Sequence, residues 1–214
     1  MKQVIKAVGV GAGGHARAVI DAARLHGVKV VALVDADPAR LGTTLAGVPV
    51  AGDDSALTGL RGQATHAFIG VGTVGRSGTR ERLFALVLAS GLAPLDVLHP
   101  AAILAADAMW GSGVTILARA VLNPNARLGA NVVINTGAIV EHDCEVGDHV
   151  HVATGAILCG AVRVGTGAHV GAGAVVRQGI RVGARAVVGA GAVVVHDVPD
   201  DTVVVGVPAR PLAG

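Results

Sequence analysis

The chain has 214 residues, 17 Lys and Arg against 15 Asp and Glu, and a formal net charge of +2. Hydrophobic residues make up 52% and aromatic residues only 1% (Phe68, Phe84, Trp110), beside 32 glycines. This excludes a disordered chain and a core built on aromatic anchors, and scattered arginines without a basic run or aromatic interleaving argue against nucleic acid.

No apolar run reaches the ~18 residues of a membrane span, and no secretory leader opens the sequence, so no membrane and a cytoplasmic location are expected. Cys144 and Cys159 form no CxxC pair and read as structural thiols. In chain order, residues 4–10 read as a buried strand, Gly11 to His15 as a turn, Ala16 to His26 as a helix, and Val28 to Val34 as a strand ending at Asp35. Gly9, Gly11 and Gly14 satisfy G-x-G-x-x-G between strand and helix, with the acidic Asp35 at the end of the following strand, a pattern that cradles nucleotide phosphates on a helix N-terminus. Only about 100 residues precede the repeat of the second half, too few for a six-stranded dinucleotide fold with a substrate domain, so a half-Rossmann unit is predicted over 1–100. Short strands are expected at Val48–Ala51 and Ala67–Val71, a helix at Thr79–Ser90 closed by Gly91, and a last strand at Leu95–Leu98.

From Leu104 to Val194 every sixth residue is a large apolar one, and four residues after each comes a small or β-branched apolar residue or Cys. Neither a helical nor a strand period explains this; a chain that turns a corner at every hexapeptide does, which predicts a triangular parallel β-helix over 101–214. At ~4.8 Å per coil of three hexapeptides the prism is roughly 25 Å tall. Of the 15 glycines between Leu104 and Pro199, 14 fall one or three positions after the large residue, where a corner needing φ > 0 is expected. The exception is Gly160, three full hexapeptides after His142. It should stack one coil from that histidine, leaving room for a reacting group beside an exposed backbone N–H. Glu141-His142-Asp143 interrupts an otherwise bland surface, and a second cluster, Asp148-His149-Val150-His151, follows one hexapeptide later.

The repeat resembles that of the hexapeptide acyltransferases, whose prism is a left-handed β-helix. The opening VGVGAGGHARAVID, LHPAA at the junction, NTGAIVEHDCEVGDHVHVATGA and the closing VVVGVPARPL resemble one branch of them, the sugar O- and N-acetyltransferases that include the nucleotide-sugar N-acetyltransferases of bacillosamine and perosamine biosynthesis. The resemblance implies His142 as general base and Asp143 as the carboxylate that orients it, with Glu141 as the alternative. It implies acetyl-CoA contacts at His151, Ala172 and Ala190, and a nucleotide-sugar site at Gly13, Gly14, His15, Asp35 and Ala36, joined by Gly52 or Gly72. The expected activity is transfer of an acetyl group from acetyl-CoA to a nucleotide-linked 4-amino-4,6-dideoxy sugar, without a metal, by a homotrimer with its active site at the subunit interface. Gly160 N–H is the expected oxyanion donor. Three alternatives stand beside it: a sugar O-acetyltransferase, a metal hydratase of the γ-carbonic anhydrase type using His142, His149 and His151, and a non-catalytic nucleotide-binding scaffold.

Overall fold

The computed structural model describes residues 4–73, 75 and 78–212. The chain forms two compact units, Met1–Gly72 with Arg82–Pro100, and Thr73–Glu81 with Ala101–Gly214.

In the first unit, β1 (Lys6–Val10), β2 (Lys29–Val34), β4 (Val48–Gly52), β5 (His66–Ile69) and β6 (Ala93–Pro94) run parallel, and β3 (Thr44–Leu45) pairs antiparallel with β4. The order is β3-β4-β2-β1-β5-β6, so β1 is central and its residues Ala7 to Val10 are buried, as the continuous apolar run requires. Helix α1 (Gly14–Leu25) follows β1 and begins two residues earlier than predicted, because Gly13 already serves as its N-cap. Helix α2 (Gly78–Ser90) ends where Ser90 Oγ turns back to Val87 O and Gly91 takes φ +76. The strand predicted at Leu95–Leu98 is instead two short pieces, β6 and β7 (Val97–Leu98). Pro94 has no N–H to donate and fits only the sheet edge, where β6 lies. A 3₁₀ segment, Asp54–Gly62, was not predicted; Asp53 caps it by accepting from Ser55 N–H at 2.9 Å.

The second unit is a three-sided parallel β-helix of very short strands. Along one face the register runs Thr115, Val133, His151, His169, Val187, each step one coil of three hexapeptides. A second face stacks Ile103–Leu104, Val121–Leu122, Ile139–Val140, Ile157–Leu158, Val175–Val176 and Val193–Val194, and the third runs from Met109–Trp110 through Glu145–Val146 to Arg181–Val182. From Val114 to Val194 every sixth-residue position and every small partner is buried. The last coil departs from the period: Val182 pairs with Val198 and Val187 with Val203, each partner standing two positions ahead of the register that the repeat sets.

The two glycine positions differ, which corrects the expectation of positive φ at both. Three positions after the large residue the backbone is left-handed from Gly113 to Gly191, at Gly155 (φ +67) as at Asn125 (φ 59) and Asp143 (φ 61). One position after it, the need is for space. A Cβ on Gly171 would lie 2.6 Å from both Ala190 N and Val188 O of the next coil.

Thr73 and Arg80 pack on the prism. Arg80 is fully buried, its Nη2 donating to Asn131 Oδ1 at 2.6 Å while Asn131 Nδ2 donates to Arg80 O at 3.2 Å. Burial pushes the guanidinium down to about 10, still charged at neutral pH. Among the described residues no helix is long and apolar enough to cross a membrane.

Candidate active site

Val140 and Cys144 point into the prism, so the three residues between them turn the corner between the second and third faces. His142 and Asp143 are exposed there. Asp143 tolerates the left-handed conformation because its short polar chain can bond locally. Its N–H donates to Pro124 O at 3.1 Å, Oδ1 accepts from Asn125 Nδ2 at 2.7 Å, and Oδ2 accepts from His142 Nδ1 at 2.8 Å. The proton of neutral His142 therefore sits on Nδ1, which leaves Nε2, beside Gly160 of the following coil, as the ring nitrogen able to accept a proton. The Asp143 hydrogen bond raises the His142 pKa above its ordinary value. Asn125 and then His142 hold the Asp143 carboxyl below the usual range. Glu141 bonds the backbone N–H of His142 at 3.3 Å, leaving Asp143 as the carboxylate on the ring.

Gly160, one coil after His142, stacks against it as expected, but the space beside it is taken. A Cβ there would lie 2.7 Å from both Cε1 and Nε2 of His142, so the missing side chain seats the imidazole itself and leaves no room for a reacting group. Gly160 is buried. Cys144 Sγ donates to Cys159 O at 3.2 Å, and burial pushes its thiol up to about 11, which makes it inert.

His151 stands on the first face, not at the His142 corner. It is 4% exposed, receives Thr73 N–H on Nδ1 at 3.4 Å, and has Asn135 Nδ2 3.3 Å from Nε2. Its ring meets His169 edge-on, with centroids 5.2 Å apart, and burial pushes the His169 pKa down. Ala172 and Ala190 are exposed at the corner between the first and second faces, in one column with Thr136 and Thr154. One chain thus carries His142 on one edge of the prism and the Ala172 column on another, a whole face apart. His149 bonds Asn131 at a further corner, and among the described residues no three His, Cys, Asp or Glu side chains gather into a metal-sized cluster.

In the first unit, Gly13 and Gly14 have open space where a Cβ would be, at the N-terminus of α1. Asp35 accepts from Ala12 N–H at 2.6 Å and from Asp37 N–H at 2.9 Å, and Arg40 donates to Ala12 O. Asp35 therefore shapes the glycine turn. A cleft of about 380 Å³ brings Asp35, Ala36 and Gly52 together with Pro38, Leu41 and Asp53. Gly72 lies against His15 instead: a Cβ on Gly72 would be 3.2 Å from His15 Cβ.

Asn125, Asn135, His169 and Arg80 have no expected role in the sequence taken alone. Reading the columns coil by coil would have placed Asn125 under Asp143 and His169 beside His151, whereas the burial of Arg80 follows from a segment outside the repeat.

The model of the PglD N-terminal domain family matches residues 6–86. Among curated proteins no match was found. Of solved structures, the Caulobacter crescentus GDP-perosamine N-acetyltransferase in complex with CoA and GDP-perosamine is 39% identical, with 99% of each chain covered and a TM-score of 0.91. The acetyltransferase domain of PglB from Neisseria gonorrhoeae, in complex with acetyl coenzyme A, is 33% identical over 98% of this chain and 100% of that one, with a TM-score of 0.90. The chain belongs to the PglD-type sugar acetyltransferase family. WeeI from Acinetobacter baumannii, 30% identical over 98% of this chain and 100% of that one, has a TM-score of 0.79. This PglD-type acetyltransferase is accordingly a Rossmann-like unit followed by a left-handed β-helix. Two further Caulobacter structures carry a histidine replaced by alanine or by asparagine, each in complex with CoA and GDP-perosamine.

Proposed function

We propose that this acetyltransferase moves the acetyl group of acetyl-CoA onto the amine of a nucleotide-linked 4-amino-4,6-dideoxy sugar of the GDP-perosamine or UDP-bacillosamine type. The observation that carries the reading is the His142–Asp143 pair, with Nδ1 tied to the carboxylate and Nε2 left to accept a proton. Neutral His142 accepts a proton at Nε2 as the amine nitrogen bonds to the thioester carbonyl carbon. The carbon–sulfur bond then breaks, and the same proton passes to the departing CoA sulfur, so acetamide and free thiol leave with His142 neutral again. Asp143 holds the tautomer and stabilises the transient imidazolium. The ring seat at Gly160 fixes where Nε2 points, and because the imidazole fills that space the buried Gly160 amide is not assigned the oxyanion role expected of it from sequence. We equate His142 with the histidine replaced in the Caulobacter enzyme, whose variants hold both ligands, as a base that is not needed for binding would allow.

In the same reading, the column through Ala172 and Ala190, with His151 on the adjoining face, receives acetyl-CoA. The open N-terminus of α1 at Gly13, Gly14 and His15 takes the diphosphate, and the cleft at Asp35, Ala36 and Gly52 the nucleoside, with Gly72 backing His15. The enzyme works as a homotrimer. Support comes from the second face, whose outward positions Val121, Ile139, Ile157, Val175 and Val193 form a half-buried apolar ladder, and from His142 and the Ala172 column lying at opposite ends of that face. Packing copies around a threefold axis would cover the ladder and bring the two edges together.

Thiol release from acetyl-CoA, measured with a panel of GDP- and UDP-linked 4-amino sugars, tests the activity. His142→Asn should lower kcat by about 10²–10⁴-fold with CoA affinity unchanged by calorimetry. A kcat near wild type in that variant would remove His142 as the base.

A further inference from the structure

Asp143 has two carboxylate oxygens and two polar partners, and the second partner belongs to the coil below. Asn125 sits one coil before Asp143 in the same left-handed corner column (φ 59 and φ 61), and its Nδ2 donates to Asp143 Oδ1 at 2.7 Å. The amide is itself oriented, because Arg127 Nη2 donates to Asn125 Oδ1 at 3.1 Å, which leaves the NH₂ group to face Asp143. A relay therefore runs Arg127, Asn125, Asp143, His142.

We infer that Asn125 is a positioning residue of the acetyl transfer: it holds the Asp143 carboxylate so that Oδ2 meets His142 Nδ1, and thereby sets how strongly the His142 ring holds a proton. This rests on the reading of His142 as the base. The physical need is plain. Asp143 and His142 are both more than half exposed, and an aspartate at such a corner is otherwise free to turn its oxygens to water. With Oδ1 pinned from below, rotation about its side-chain bonds would cost the Asn125 bond, so Oδ2 stays on the ring. Glu141 does not substitute, because it is engaged with the His142 backbone.

The test uses Asn125→Gly in the full-length protein. Glycine occupies the equivalent corner position at 137, 155 and 173, so it accepts the left-handed backbone and removes only the amide. In the NMR titration of the His142 ring, its pKa should fall towards the ordinary histidine value, whether or not His142 is the base. In kinetics, kcat should fall about tenfold with the KM for acetyl-CoA unchanged, and the acid limb of kcat/KM should move to lower pH. In an Asp143→Asn background the same change should have no further effect, since Asn125 acts through Asp143. An unmoved or raised His142 pKa, or an equal loss of kcat in the Asp143→Asn background, overturns the inference. A lowered pKa with full kcat upholds the positioning of the ring and overturns the base role on which the catalytic reading depends.

Discussion

His142 stands on an exposed corner, where a charge pair adds little to folding stability, so the two partners of Asp143 serve the ring more than the fold. The consequence is a pH profile with a definite sign. The base form of His142 is the neutral one, and the Asp143 hydrogen bond raises its pKa, so activity should be lost on acidification through a pH above the 6.5 of an ordinary histidine. Asp143→Asn removes the cause of the rise and should move the acid limb of kcat/KM downward while lowering kcat; an upward shift would contradict the assignment. Gly160→Ala tests the ring seat separately. The backbone there is not left-handed, and the atoms nearest the new Cβ belong to the exposed imidazole, so thermal unfolding should stay close to wild type while kcat drops as Nε2 swings away. Loss of stability with intact kcat would mean that the glycine serves the coil alone. The sequence made His142, Asp143 and the Gly160 stacking legible, because a strict period turns residue numbers into neighbours. It misassigned the space over Gly160, since nothing in a one-letter string says which way an imidazole rotates.

Among the elements, the prism was the most legible and its corners the least. Apolar spacing fixes which residues point inward, yet two glycine positions that look alike in sequence do different work. Gly171 makes room for the backbone of the next coil, and Gly155 supplies a positive φ in open space. Gly171→Ala should therefore cost about 1–3 kcal/mol, because neither Ala190 N nor Val188 O can give way. Gly155→Ala should cost about 1–2 kcal/mol, and Gly155→Asn less, since Asn already occupies the same corner position at 125 and 131. Urea unfolding of the three variants checks the ranking, and equal losses for Ala and Asn at 155 would show that conformation is not what that site demands. The slip of register at Val198 was hidden because Val203 to Val205 and Arg210–Pro211 turn back antiparallel, a pairing outside the repeat. Arg80 was hidden for a different reason: it lies in the helix predicted at Thr79–Ser90, where an arginine carries no sequence signal for complete burial against Asn131.

At the scale of the molecule, the change from a pattern of strand, glycine turn and helix to a period of six was legible, whereas the grouping of Thr73–Glu81 with the second unit has no such signal. What the sequence could name but not locate in space is the separation of the proposed acetyl-CoA column from the proposed base. They flank the apolar second face, a hexapeptide side that spans up to roughly 20 Å, too far for one chain to serve a single reacting carbonyl from both edges. The proposed trimer resolves this by pairing His142 of one copy with His151 and Ala172 of the next. Ile157→Arg, in the middle of the apolar ladder, should then yield monomers by light scattering and abolish turnover, although His142 and Asp143 are untouched. A sharper test needs no disruption of assembly. His142→Asn and His151→Ala subunits, each nearly inactive alone, are unfolded together at equal amounts and refolded. Interfaces that draw His142 from one variant and His151 from the other form in about one case of four by random mixing, so activity should recover to roughly a quarter of wild type. If both residues acted within one chain, no mixture could restore a complete site, and the refolded sample would remain as inactive as its parents.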